Sequence, residues 1–254
     1  MKNIPAGLAM LILTVTCTSC FAIMPIWHAR MVHKPDSDMS AQTYYDESQF
    51  VQPFFVHEAL PAQPDQLDLR TLAYRERLGQ VASADYAFNI EAGLVKDLGL
   101  TVRNEGEINQ KFSELMALYK LLGNNNRGMG VLAEALVPTG GGPDPNDARA
   151  AVGASGRTIL LDNRAKVDSN VRYNPRDQIL YFEGAVVWKA NKKLFPVFEV
   201  NGTMNAGTDW YVLPGLKYRI DQRSALGFGL QIGMSDIRAF DNRGILSYEI
   251  SFLP

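Results

Sequence analysis

Strict alternation along residues 210–234 constrains this chain more than any other feature. Trp210, Val212, Pro214, Leu216, Tyr218 and Ile220 share one parity, and Tyr211, Leu213, Gly215, Lys217 and Arg219 the other. After Asp221, Gln222 and Arg223 the pattern restarts. Leu226, Phe228, Leu230, Ile232 and Met234 then oppose Ala225, Gly227, Gly229, Gln231 and Gly233. Successive side chains alternate faces in an extended strand, so these residues read as two strands joined by a short polar turn.

The signature recurs along the chain. Tyr86, Phe88, Ile90, Ala92 and Leu94 alternate with Ala87, Asn89, Glu91 and Gly93. Further strands centre on Leu98–Val102, Leu115–Leu121, Met129–Val137, Ala165–Tyr173, Leu180–Trp188, Phe198–Val200 and Leu246–Phe252. Weaker strands over 70–80 and 150–160 bring the count to twelve, with ten as the alternative. Twelve keeps the turns in phase. The connectors at 95–97, 123–127, 162–163, 191–193 and 221–223 are short and fall at one end. The longer connectors, including 140–148 and 235–242, fall at the other, the asymmetry of outer-membrane barrels.

Two destinations are open for the apolar faces: the dry core of a soluble barrel or sandwich, or lipid. A soluble barrel needs a surface dense in Lys and Glu. Here the non-apolar face mixes isolated charges with Gly, Ala, Ser and Asn, which suits a narrow lumen where side chains share space and pair. Trp188, Trp210, Tyr173 and Phe252 sit near strand ends, where interfacial aromatics belong. Closure also removes exposed edges. The expected fold is all-β, an antiparallel up-and-down transmembrane β-barrel with an irregular N-terminal arm. A mean hydropathy of −0.10 is too low for a bundle of membrane helices. It does not exclude a barrel, because half of each strand faces a polar lumen.

Three regions are expected: a signal peptide over 1–20, an irregular periplasmic arm or plug over 21–68, and an outer-membrane barrel over 69–254. Lys2 followed by apolar Ile4–Val15 reads as an export signal, and an uncleaved anchor is the alternative because apolar residues continue to Trp27. Thr18-Ser19-Cys20 suggests a lipoprotein signal with Cys20 as the acylated residue; ordinary cleavage, for instance after Ala22, competes with it. Cys17 and Cys20 are the only cysteines, so the mature domain uses no disulfide. Cys17, Cys20, His28 and His33 have a zinc-knuckle-like spacing, but it falls in a segment that is cleaved or acylated, so no metal site is expected. The arm holds His28, His33 and His57, several prolines, and the pairs Tyr44-Tyr45 and Phe54-Phe55.

Residues 196–202, 210–218 and 226–229, with Phe240-Asp241, resemble the C-terminal half of a bacterial outer-membrane family named for the MetA pathway of phenol degradation. Val137-Pro138-Thr139-Gly140 is similar to a strand-to-loop exit in that family. The resemblance covers roughly residues 85–254. It implies a transporter-like outer-membrane barrel for hydrophobic or small organic compounds, and it carries over no catalytic residue.

No nucleophile elbow, phosphate loop or HExxH motif is present, and residues 69–254 contain no histidine, so an enzyme is not expected and no cofactor is implied. A net charge of −2 offers no footprint for nucleic acid. The alternation directs Arg103, Glu105, Glu114, Glu134, Glu183, Glu199, Lys217, Arg219 and Glu249 into the lumen. There they cross-link the wall or line a selective path. Two functions follow: a channel or transporter for small or hydrophobic organic compounds, or a structural barrel with a closed lumen. In the second, residues 21–68 dock a periplasmic or envelope protein or fill the lumen. Outer-membrane lipid is the expected partner in both.

Overall fold

The computed structural model describes residues 50–107, 110–124, 126–138, 148–236 and 238–252. The expectations for the signal peptide, for Cys20 and for Tyr44-Tyr45 lie outside these residues. Twelve strands form one closed antiparallel barrel in sequence order. They are β1 (Leu67–Leu78), β2 (Val81–Val95), β3 (Leu98–Glu107), β4 (Gln110–Gly123), β5 (Gly128–Pro138) and β6 (Arg149–Leu160). The second half comprises β7 (Ala165–Asn174), β8 (Ile179–Trp188), β9 (Leu194–Met204), β10 (Thr208–Arg219), β11 (Ser224–Gly233) and β12 (Asn242–Phe252). The seam pairs Leu67 with Phe252 and Arg77 with Asn242, so no edge is left open. The alternative count of ten strands is therefore set aside. The first strand begins at Leu67, a few residues ahead of the expected start at 70.

Alternation gives the wall two chemically distinct faces. The buried positions of β1–β3 include Asp68, Arg70, Asn89, Glu91, Thr101 and Arg103. The exposed positions of β10–β12 include Leu216, Tyr218, Leu226, Phe228, Leu230, Leu246 and Tyr248. A soluble barrel buries its apolar residues and exposes its charges. This barrel does the reverse over most of its wall, as lipid on the outside and a polar lumen on the inside require. Trp188, Tyr173 and Phe252 are exposed at strand ends. Strands of 10 to 15 residues are long enough for a tilted crossing.

The turns follow from their Asx residues. The Asp221 carboxylate accepts the backbone N–H groups of Arg223 and Ser224, both at 2.8 Å, and so reverses the chain between β10 and β11. The Asn191 side-chain oxygen does the same for Lys193 and Leu194 between β8 and β9. Asn124 does so for Asn126 and Arg127 between β4 and β5. Both chain ends of the barrel lie at this short-turn end, the periplasmic end in outer-membrane barrels.

Candidate functional site

The lumen holds a segment of the same chain. Val51, Phe54, Phe55, Val56, His57, Ala59 and Leu60 are all buried, with Phe54, Val56 and Ala59 fully so. The segment has no ladder partner of its own at its apex, so its backbone polar groups must be satisfied by side chains of the wall. They are. Phe54, Phe55 and Val56 donate three successive N–H groups to the Glu199 carboxylate, the latter two at 2.9 and 3.2 Å. The Pro53 carbonyl accepts from Arg70 and, at 3.1 Å, from Lys217 Nζ. The Phe55 carbonyl accepts from Arg103 Nη1 at 2.9 Å, and the His57 carbonyl from Asn170 Nδ2 at 3.0 Å.

Side chains complete the seat. Phe54 and Phe55 pack in an apolar cluster with Leu72, Tyr74, Val197, Leu213 and Ile245. Each such ring contributes roughly 1.5–3 kcal/mol on burial. Lys217 Nζ stands 4.7 Å from the centroid of the Phe54 ring. A Cβ on Gly215 would lie 2.5 Å from Phe54 Cε2, and one on Gly227 would lie 2.9 Å from Phe54 Cε1. These two glycines are the notch that admits the ring. Glu58 pairs with Arg157 and, at 2.6 Å, with Lys166. Gln52 reaches Glu249 Oε1 through its N–H at 3.2 Å and Glu91 Oε2 through its amide at 3.3 Å. Leu60 lies beside Gly128, and Pro64 forms a parallel bridge to Gly93 at the short-turn end. The arm thus touches all twelve strands.

His57 sits at the apex. Its Nδ1 lies 2.9 Å from Glu183 Oε2, and its Nε2 lies 2.6 Å from Glu114 Oε1. Arg103 Nη1 is also 3.3 Å from Nε2, but the shorter contact with Glu114 makes the doubly protonated ring the better assignment. Burial by itself lowers the His57 pKa, and the Glu114 and Glu183 carboxylates overcome it, holding the ring at about 9 against an ordinary 6.5. Arg172 joins the same carboxylates from the other side. Its Nη1 is 3.3 Å from Glu114 and 2.7 Å from Glu134, and its Nη2 contacts Glu183. His57, Glu114, Arg172 and Glu183 therefore form a ring of alternating charge. With both imidazole nitrogens facing carboxylates, neither is presented to a hydroxyl nucleophile.

Above the apex, toward the long-loop end, lies a cavity of about 360 Å³ with Phe55 in its floor. Its wall includes Glu134, Arg172, Tyr181, Asn201, Thr203, Asp209, Tyr211, Gln231 and Arg243. The Tyr211 and Phe240 rings stack at 4.5 Å, and Arg243 lies 4.0 Å over Phe240 while pairing with Glu76 at 2.7 Å.

The residues singled out from sequence are distributed as follows. Glu114, Glu183 and Arg103 converge on His57 and Phe55, and Glu134 joins them through Arg172. Glu199, Lys217 and Glu249 hold residues 52–56, with Lys217 Nζ 2.6 Å from Glu249 Oε2. Arg219, nearer the short-turn end, lies 4.7 Å from the centroid of the Phe195 ring. Glu105 belongs to β3, and its side chain lies outside the described residues. Sequence reasoning missed His57, Glu58, Arg70, Arg157, Asn170 and Arg172. The available signal was the pairing of a Phe-Phe-Val-His-Glu run with a strand set bearing unmatched inward charges of both signs. Gly227 faces Lys217, and with Gly215 it makes room for Phe54.

A closed antiparallel barrel with an apolar exterior and a charged interior defines a transmembrane β-barrel of the outer-membrane type. The chain is similar in fold to a KdgM porin, at a TM-score of 0.55 and 13% identity over 74% of this chain and 99% of that one. It is also similar to a KdgM porin in complex with disordered oligogalacturonate, at a TM-score of 0.53 and 14% identity over 74% and 99% of the two chains. An outer membrane channel from Pseudomonas putida F1 gives a TM-score of 0.52 and 9% identity over 80% of this chain and 100% of that one. No family model matches the chain, and neither does any curated protein. The fold and the lipid-facing exterior place the protein in the bacterial outer membrane.

Proposed function

We propose that this protein is an outer-membrane channel for small polar solutes, stoppered at rest by its own arm. The observation that carries the reading is the arm's seat, with residues 52–58 held almost wholly through side chains of the lumen wall. A barrel that needed only to be filled could close its lumen with large wall side chains. Instead the wall leaves a Phe54-sized notch at Gly215 and Gly227 and offers charges that match the arm's backbone. Above the stopper the cavity is polar and carries both signs of charge. This supports small polar solutes over the hydrophobic compounds within the range implied by the C-terminal resemblance. The same seat also supports a second reading, a barrel whose lumen stays shut and whose role is structural.

Conductance in planar bilayers separates the two. A barrel in which residues 51–60 are replaced by a Gly/Ser linker is compared with the full chain, after a heat-modifiable gel shift verifies that both are folded. Conductance appearing on replacement is the expected result. A folded but silent arm-replaced barrel overturns the channel reading in favour of the structural one.

A further inference from the structure

We propose that His57 is a proton-operated latch: its imidazolium, clasped between Glu114 of β4 and Glu183 of β8, holds the arm in the lumen, and loss of the ring proton lets the apex withdraw. The proposal rests on the channel reading for its consequence but not for its geometry. The ring faces Glu114 from β4, Glu183 from β8 and Arg103 from β3; Arg172 from β7 pairs with both of those carboxylates, Glu134 from β5 pairs with Arg172, and the Asn170 amide of β7 holds the His57 carbonyl. Charged, His57 balances this set: three cations meet three carboxylates. Neutral, the imidazole has one N–H for two carboxylates. Its bare nitrogen then faces a carboxylate oxygen at hydrogen-bond distance, with Arg103 Nη1 at 3.3 Å as the competing donor where that nitrogen is Nε2, and the buried cluster keeps an uncompensated negative charge.

The direction of the effect is fixed by linkage. A docked pKa of about 9 against an ordinary 6.5 means that the latch is fully engaged below 6.5 and is lost as pH rises through about 9. That difference corresponds to a docking equilibrium weakened on the order of a hundredfold once the ring is neutral. His57 is also the one histidine among the described residues, so in them no second imidazole titrates in this range.

The test uses the full chain with Cys17 and Cys20 changed to Ser and a reporter cysteine at Val56, which is fully buried beside the ring. Its labelling by a water-soluble maleimide is normalised to a control cysteine at exposed Lys192 and followed from pH 7 to pH 10, with bilayer conductance measured in parallel. The expected result is a rise in normalised labelling of at least about tenfold, centred near pH 9, with conductance rising alongside. His57→Gln is expected to label at pH 7 as the parent does at pH 10, and His57→Lys to stay shielded to higher pH. Flat labelling of the parent across the range overturns the latch, as does His57→Gln shielded like the parent at pH 7. Labelling that rises while conductance stays at zero upholds the latch and removes the channel reading. Flat labelling in a barrel that conducts once its arm is replaced does the opposite.

Discussion

Glu199→Ala is the most direct probe of how the arm is held. The carboxylate accepts the N–H groups of Phe54, Phe55 and Val56, all inside the lumen and away from solvent. Removing it leaves three buried donors with no acceptor, each costing about 1–3 kcal/mol. Water entering the space left by the side chain recovers part of this, so the lower end of the range applies. The cations nearby, Lys217 and Arg70, also lose a counter-charge, although Lys217 keeps Glu249. Together these weaken docking by about 3–5 kcal/mol. At about 1.4 kcal/mol per factor of ten, the undocked fraction rises from about 100-fold to about 4,000-fold. The strand ladders are untouched, so the barrel itself stays folded. Limited proteolysis with an enzyme that cuts after Phe reads the undocked population directly when docking is fast relative to cleavage. Cleavage at Phe54 and Phe55 in detergent-folded barrel is expected to accelerate in proportion. The conservative Glu199→Gln, which keeps one carbonyl oxygen, is expected to fall between the two. A Glu199→Ala cleavage rate within about threefold of the parent's would refute the premise that this carboxylate anchors the arm.

Gly215→Val drives a side chain into the space of the Phe54 ring, so arm cleavage is expected to rise as it does for Glu199→Ala. Gly244→Ala, whose added Cβ meets nothing within 4 Å, should leave the cleavage rate unchanged. On the outer face, Phe228 is 66% exposed near the middle of β11. Phe228→Lys places a charge in the lipid there and is expected to cost about 2–4 kcal/mol, measured as a lower urea midpoint for unfolding from lipid vesicles. An unchanged midpoint would argue that this face does not meet lipid.

The wall was legible in the sequence because lipid enforces one rule on every strand. Phe228, Leu230 and Leu246 can contact hydrocarbon only if their parity is kept, so period and register were written along the chain. Turn chemistry added the phase, since Asp221 and Asn191 mark short reversals at one end. The arm obeys no such rule. Phe54 meets Glu199 across 145 positions and Gln52 meets Glu249 across 197, with no periodicity to announce either contact. The inward parity of Glu114 and Glu183 could be read locally, but their shared partner could not. His57 lies in a stretch whose prolines and mixed aromatics read as irregular chain, and only closure brings β4 and β8 within reach of the same ring.

The arm's reach to every strand bears on how the molecule is built. Its seat is not a property of any hairpin: Glu91, Arg103, Glu199, Lys217 and Glu249 are gathered only when β12 has met β1. Residues 50–60, which precede all twelve strands in the chain, can therefore find their complete seat only once the last strand has arrived. Arm burial is thus a record of seam closure. A misassembled barrel missing β12 would lack Glu249, and one missing β10 would lack Lys217 and the Gly215 side of the notch. Either would leave Phe54 and Phe55 without the complete seat that covers them.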